Sequence, residues 1–146
     1  MKSCTYSNLL TQHAVDAFAA AFQQMRLLKV LNLSYSNLND ALSLALSEHL
    51  PNGLTKLNLK HCSFSAAGLD PLLETLMSSS NGTLLKLNLS GNNLAGVRNL
   101  GRFLSKSHSL EELKLSNSRL TDMELKQLGN GLKINRALRV LDLSQN

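Results

Sequence analysis

The sequence predicts an α/β architecture built from repeated strand–turn–helix units rather than around one central core. Three observations carry that reading. Leucine supplies roughly a quarter of the 146 residues, while aromatics make up 4% and tryptophan is absent, so many similar aliphatic side chains must build the core. Five strings share the pattern L-x-x-L-x-L-x-x-(N/C/S)-x-(L/F), starting at Leu28, Leu54, Leu84, Leu110 and Leu138, at intervals of 26, 30, 26 and 28 residues. Between the strings, apolar residues follow one face of a 3.6-residue helix.

The strings are LKVLNLSYSNL (28–38), LTKLNLKHCSF (54–64), LLKLNLSGNNL (84–94), LEELKLSNSRL (110–120) and LRVLDLSQN (138–146). Residues 1–27 read as a partial unit, because Ser3 and Thr5 stand where a preceding strand would carry leucines. This segment is either a degenerate cap or a cut through a repeat. Thr11 is placed as a helix N-cap, with Val15, Phe18 and Phe22 turned inward. Four full units follow at 28–53, 54–83, 84–109 and 110–137, all within a single domain.

In the second of these units, Ser65 is the expected cap of a helix over 65–77, with Leu69, Leu72 and Leu76 inward. Its return loop, Ser78 to Gly82, is the longest and the expected mobile spot. In the fourth, Thr121 caps a helix whose first turn holds Asp122 and Glu124, as the helix dipole favours, and whose inner face holds Leu125, Leu128 and Leu132. Phe18, Phe22, Phe64 and Phe103 fall at repeat core positions and are assigned to packing. A last partial unit opens at 138 and stops at Asn146 in mid-motif. The chain is therefore expected to be a piece of a longer array, with further repeats or a capping segment in its parent.

With these strings and spacings, the chain resembles the leucine-rich repeat over nearly its whole length. A unit of about 28 residues with a full helix is similar to the ribonuclease-inhibitor-like subclass, which includes ribonuclease inhibitor, the Ran GTPase-activating protein, NOD-like receptor sensor domains and tropomodulin. The resemblance implies a right-handed, curved solenoid with parallel strands on the concave face and α-helices on the convex face. It also implies a structural ladder where the chain leaves the sheet, at Ser36, Cys62, Asn92, Ser118 and Asn146, since the family uses Asn or Cys there to bond adjacent loops. Two of these five positions are serine, so a weaker ladder than the family ideal is expected.

Little in the sequence points to chemistry. Cys4 and Cys62 are too few and too far apart for a disulfide framework and read as reduced thiols of a cytoplasmic protein. His13, His49, His61 and His108 have no metal-ligand spacing, so no metal is expected. The glycines of SGNNLAG and GNG lack the phosphate-binding signatures, and no cofactor is expected. The apolar stretch 13–22 carries Asp16 and is spaced as an amphipathic helix, not as a secretory signal. No apolar run approaches the ~18 residues that would span a bilayer. The sequons at Asn32, Asn81 and Asn88 read as accidental.

Recognition is the better-supported activity. Side chains between the strand leucines project from the concave face. Asn32, Asn58, Asn88 and Lys114 form one column, and Lys56, Lys60 and Lys86 form a basic patch beside it, with Tyr35 and His61 one step beyond. A hydrogen-bond ladder along the sheet would account for the asparagines, which otherwise disfavour strands. The formal charge of +5 favours an acidic partner. The leading expectation is a non-catalytic protein-interaction module whose concave strands and adjoining loops bind a protein with an acidic surface. Regulation of a small GTPase is the first alternative. A nucleic-acid-binding surface is the second and is disfavoured, because no aromatics interleave the lysines and Glu111 and Glu112 interrupt the patch.

Overall fold

The computed structural model describes residues 11–78 and 82–146. The expectations placed on Ser3, Cys4, Thr5 and the centre of the Ser78–Gly82 loop lie outside the described residues. Ten elements alternate: α1 (Gln12–Gln24), β1 (Val30–Asn32), α2 (Asn39–His49), β2 (Lys56–Asn58), α3 (Ala66–Ser78), β3 (Lys86–Asn88), α4 (Leu100–Lys106), β4 (Glu112–Lys114), α5 (Asp122–Ile134) and β5 (Val140–Asp142). The strands form one parallel sheet in sequence order, and each helix packs on the helix of the next unit. This is the α/β solenoid expected from the sequence, with parallel strands on its concave face and helices on its convex face.

Each strand is three residues long, so it turns one side chain inward and two outward. The inward residues align as Leu31, Leu57, Leu87, Leu113 and Leu141. Together with Leu59, Leu89 and Leu115 they meet Leu42, Leu46, Leu69, Leu72, Leu73, Phe103 and Leu104 from the helices in one continuous core. No unit could enclose those side chains alone, so the stability is shared between neighbours.

The helix starts follow from local capping. Thr11 Oγ1 accepts from the Ala14 N–H at 3.2 Å, and Ser65 Oγ accepts from the Ala67 N–H at 3.3 Å. Thr121 and Glu124 form a reciprocal capping box. Two expected inward residues are corrected. Phe18 is 45% exposed and Leu125 44% exposed. In α1 the inner stripe is Val15, Ala19 and Phe22, and Phe18 lies outside it, edge-on to Phe22 at 5.0 Å between centroids. In α5 the inner stripe is Glu124, Leu128 and Gly131.

That last stripe brings α5 almost into backbone contact with α4. A Cβ on Gly131 would stand 2.5 Å from the Gly101 carbonyl oxygen, and one on Gly101 would stand 2.3 Å from the Gln127 carbonyl oxygen. Carboxylates brace the same side. Asp40 accepts from the Ser65 N–H at 2.7 Å, Asp70 from the Arg98 and Asn99 N–H groups at 2.9 Å, and Glu124 from the Gly96 N–H at 3.0 Å. Glu124 is fully buried, which opposes its ionisation, but the Thr121 hydroxyl and the N–H groups around it hold its carboxyl below the ordinary glutamate value.

Where the chain leaves the sheet, one residue per unit reaches back to the preceding unit. Cys62 Sγ donates to the Leu33 carbonyl at 3.1 Å, Asn92 Nδ2 to Leu59 at 2.7 Å, Ser118 Oγ to Leu89 at 3.5 Å and Asn146 Nδ2 to Leu115 at 2.7 Å. The asparagines do more than the other two. Asn92 Oδ1 accepts from the Cys62 and Phe64 N–H groups, both at 3.1 Å, and its Nδ2 also donates to Leu89 at 2.8 Å. Asn146 repeats this pattern on Ser118, Leu120 and Leu143. Asn92 is buried, so backbone groups that lose it have no water to turn to.

Two stability measurements check this account. Asn92→Ala should lower the unfolding free energy by about 3 kcal/mol or more in urea denaturation, since several buried backbone groups lose their partner. Asn92→Cys, which can restore only the carbonyl contact, should cost less; equal costs would count against the account. Gly129→Ala, at an open helical position, should stabilise by about 0.5–1 kcal/mol. Gly131→Ala should destabilise by about 1–3 kcal/mol through the clash with α4.

Candidate protein-interaction face

The face opposite the core carries the residues between the leucines. Strand pairing sets Val30, Lys56, Lys86, Glu112 and Val140 in one row, and Asn32, Asn58, Asn88, Lys114 and Asp142 in the next. An open groove across β1 to β4 is lined by these two rows.

The asparagines do not ladder along the sheet as expected. Each folds back onto its own chain two residues later. Asn32 Oδ1 accepts from the Ser34 N–H at 3.1 Å, Asn58 from Lys60 at 3.2 Å and Asn88 from Ser90 at 3.0 Å, and Asp142 does the same for Ser144 at 3.0 Å. These Asx turns end every strand but β4, whose last residue is Lys114, and they explain a poor strand former at the last residue of the others. Ser90, read from the sequence as facing outward, is buried, and its Oγ accepts from the Ser116 N–H at 3.2 Å.

Three residues beyond the end of each strand the backbone enters the left-handed region. Tyr35, His61, Gly91, Asn117 and Gln145 have φ of 61°, 50°, 73°, 50° and 57°. Their row keeps the inter-unit ladder going: the Tyr35 N–H donates to Lys60 O, His61 to Ser90 O, Gly91 to Ser116 O and Asn117 to Ser144 O, at 2.7–2.9 Å. Glycine at 91 has a second purpose. The His61 ring lies over it, and a Cβ there would stand 2.3 Å from that ring. His61 in turn stacks on Tyr35, 5.1 Å between centroids and 23° between planes, and Lys60 Nζ sits 5.2 Å from the Tyr35 ring centre. Tyr35 is 68% exposed and stands at the edge of the face as a braced aromatic surface.

The lysines are not equivalent. Glu112 Oε2 meets Lys86 Nζ at 2.6 Å, and Glu112 Oε1 meets Lys114 Nζ at 2.8 Å. The hydrogen bonds from Lys114 and then Lys86 pull the Glu112 carboxyl down to about 2, and the bond to Glu112 raises Lys114 above the usual lysine value. Asp142 is held low by the Ser144 hydroxyl and N–H. Lys56 and Lys60 have no carboxylate partner within salt-bridge distance among the described residues. The sequence patch of Lys56, Lys60 and Lys86 thus divides, with Lys86 drawn into an ion-paired cluster on the β4 side.

Sequence reasoning did not single out Ser63 and Arg119. Both have left-handed backbones, φ 61° and 54°, and with His61, Gly91 and Asn117 they line a second groove beside the strand ends. Gly91 and Asn117, residue types that tolerate that conformation, were the available signal. Among the described residues no group of three His, Cys, Asp or Glu side chains is placed to hold a metal. Burial pushes the Cys62 thiol up to about 11 against the opposing Ser36 N–H, which makes it a packed structural thiol. A further cavity, between the ends of α1 and α2, is lined by Phe22, Arg26, Glu48, His49, Pro51 and Asn52 and lies away from the strand face.

Comparison with known proteins agrees with this geometry. A leucine-rich-repeat family model matches residues 53–73 and 80–97. Ribonuclease inhibitor from Sus scrofa is 34% identical over 94% of this chain and 31% of its own length, and that from Mus musculus 37% over 82% and 27%. The Rho GTPase-activating protein gacW of Dictyostelium discoideum is 36% identical over 62% of this chain and 9% of that protein. The chain therefore spans at most about a third of the length of these relatives. Among solved structures, the tropomodulin C-terminal domain of Caenorhabditis elegans superposes with a TM-score of 0.73 at 20% identity, covering 89% of this chain and 82% of that one. Leiomodin-1 actin-binding site 2 superposes at 0.64 and 18%, covering 87% and 75%. The chain is a leucine-rich-repeat solenoid. Its long helical units place it with the ribonuclease-inhibitor-like proteins.

The Glu112 cluster predicts a pH signature. Its carboxyl pKa is depressed in the folded chain, so the stabilisation is present above the ordinary 4.5 and fades as pH falls toward about 2. The stability gap between the wild type and Glu112→Gln, followed by urea midpoints, should narrow across that window. A gap independent of pH would show that the carboxylate charge is not what holds the cluster.

Proposed function

We propose that this chain is a non-catalytic protein-interaction module whose concave strands and adjoining loops hold an acidic surface of another protein. One observation carries the reading: Lys56 and Lys60, free of carboxylates, flank an open sheet face with the braced Tyr35 ring at its edge. Tyrosine is a frequent anchor in interfaces, and charge of one sign beside it steers a partner of the opposite sign. The net charge of +5 acts in the same direction. Ribonuclease inhibitor, by its name, acts on another protein, and leiomodin-1 site 2 is named for binding actin. Both names fit the class without naming this chain's partner.

Regulation of a small GTPase gains no specific support, because the match to gacW covers 9% of that protein. Nucleic-acid binding gains one aromatic beside one lysine, short of the row of stacking rings a single strand uses. Reversing Lys56 and Lys60 together to glutamate should abolish capture of the partner that the wild-type chain retains, while leaving the thermal midpoint nearly unchanged. Undiminished capture by a folded double variant would move the binding site elsewhere.

A further inference from the structure

The strand face is electrically divided, and the division lies between β2 and β3. On the β1–β2 side stand Lys56 and Lys60, with Tyr35 under Lys60 and His61 behind it, and no carboxylate among the described residues of that part of the face. On the β3–β5 side, Lys86 and Lys114 each donate to a separate oxygen of Glu112, and Asp142 lies opposite Lys114 in the sheet register. Glu112 is mostly enclosed, with its side chain 17% exposed, whereas Lys86 and Lys114 are 49% and 40% exposed. The carboxylate therefore sits beneath two ammonium groups that reach solvent. An incoming acidic group meets two cations already shared with an anion, and also meets that anion's own charge.

We propose that Glu112 is a selectivity residue that withholds Lys86 and Lys114 from acidic ligands. It thereby confines an acidic polypeptide segment to the Lys56–Lys60–Tyr35 half of the concave face. The inference rests on the acidic-partner reading above and deepens it. The occupant is a polypeptide carboxylate cluster because the β1–β2 half offers two separated point charges and one aromatic face. A nucleic acid would ask for stacking rings and regularly spaced phosphate contacts. The block persists through the neutral and mildly acidic range, since the paired carboxyl stays ionised there.

The experiment measures fluorescence anisotropy of a labelled oligoglutamate peptide and of a single-stranded oligothymidylate of equal charge. The proteins are the wild type, Lys56→Ala, Lys86→Ala and Glu112→Gln, at low and physiological salt. Thermal melts of each protein confirm that it is folded. Lys56→Ala should weaken peptide binding by about threefold or more, as loss of a contacting surface charge does. Lys86→Ala should change it much less. Glu112→Gln should tighten binding by a similar factor and steepen its salt dependence, because two cations are released. Unchanged binding in a folded Glu112→Gln protein, or equal losses for Lys56→Ala and Lys86→Ala, overturns the proposal while leaving the acidic-partner reading standing. Binding of neither polyanion by any of the proteins overturns that reading and the proposal with it. Tighter binding of the oligothymidylate than of the peptide overturns the assignment of a polypeptide.

Discussion

The structure depends on the contact of each unit with the next. A three-residue strand and one helix cannot close around their own leucines, and the core runs as one cluster from unit to unit. Correct stacking needs more than apolar contact, because leucine surfaces slide at little cost. Directional bonds at fixed offsets supply the register. Asn92 shows how: one amide joins two N–H groups of the preceding unit, that unit's Leu59 carbonyl and its own Leu89 carbonyl. On the helix side, carboxylates at residues 40, 70 and 124 take N–H groups from adjacent units. A slip by one residue would break both sets and leave the Asn92 set unpaired in a buried setting.

Register also sets ordinary residues from separate units into rows across the strand face. With Leu57 opposite Leu87 and Leu87 opposite Leu113, the residues beside them fall into rows, and a lysine from one unit lies beside a glutamate from the next. The strand ends finish the rows in a repeated way, through an Asx turn followed by a left-handed residue. The left-handed step swings the chain off the sheet and sets Tyr35 and His61 at its margin, where their rings stack. Tyrosine and histidine are held at positive φ by the surrounding inter-unit hydrogen bonds, each of these residues donating its N–H to the next unit.

How much of this was legible in the sequence follows from which interactions are local. Strand leucines and the caps at Thr11, Ser65 and Thr121 were readable because spacing and capping chemistry are properties of short segments, while the parallel order came from the leucine-rich-repeat resemblance. The failures have a common source. Phe18 and Ala19 differ by one helical step, and only the position of α2 decides which is covered. Ser90 alternates correctly for an outward residue, yet the chain is already turning off the strand there, which buries it against Ser116. The asparagine row looked like a ladder because a row suggests contact between its members. Each member in fact bonds within its own turn, and the row arises because every unit needs the same turn.

Charge shows the same gap between sequence and surface most sharply. A count along the strand face finds four lysines against Glu112 and Asp142 and suggests an evenly basic surface with a minor blemish. Geometry redistributes it. Glu112 has two oxygens, and each holds a different lysine from a different strand, so one carboxylate pairs with two cations. No pairing at helical or strand spacing within a single segment could reveal this, since Lys86 and Glu112 lie in different units and meet only through register. Lys114, two residues from Glu112, adds to the cluster because alternate strand residues share a face. On the proposed reading, a partner would use the unpaired half beside Tyr35. Its identity is set as much by where the acid sits as by where the lysines are.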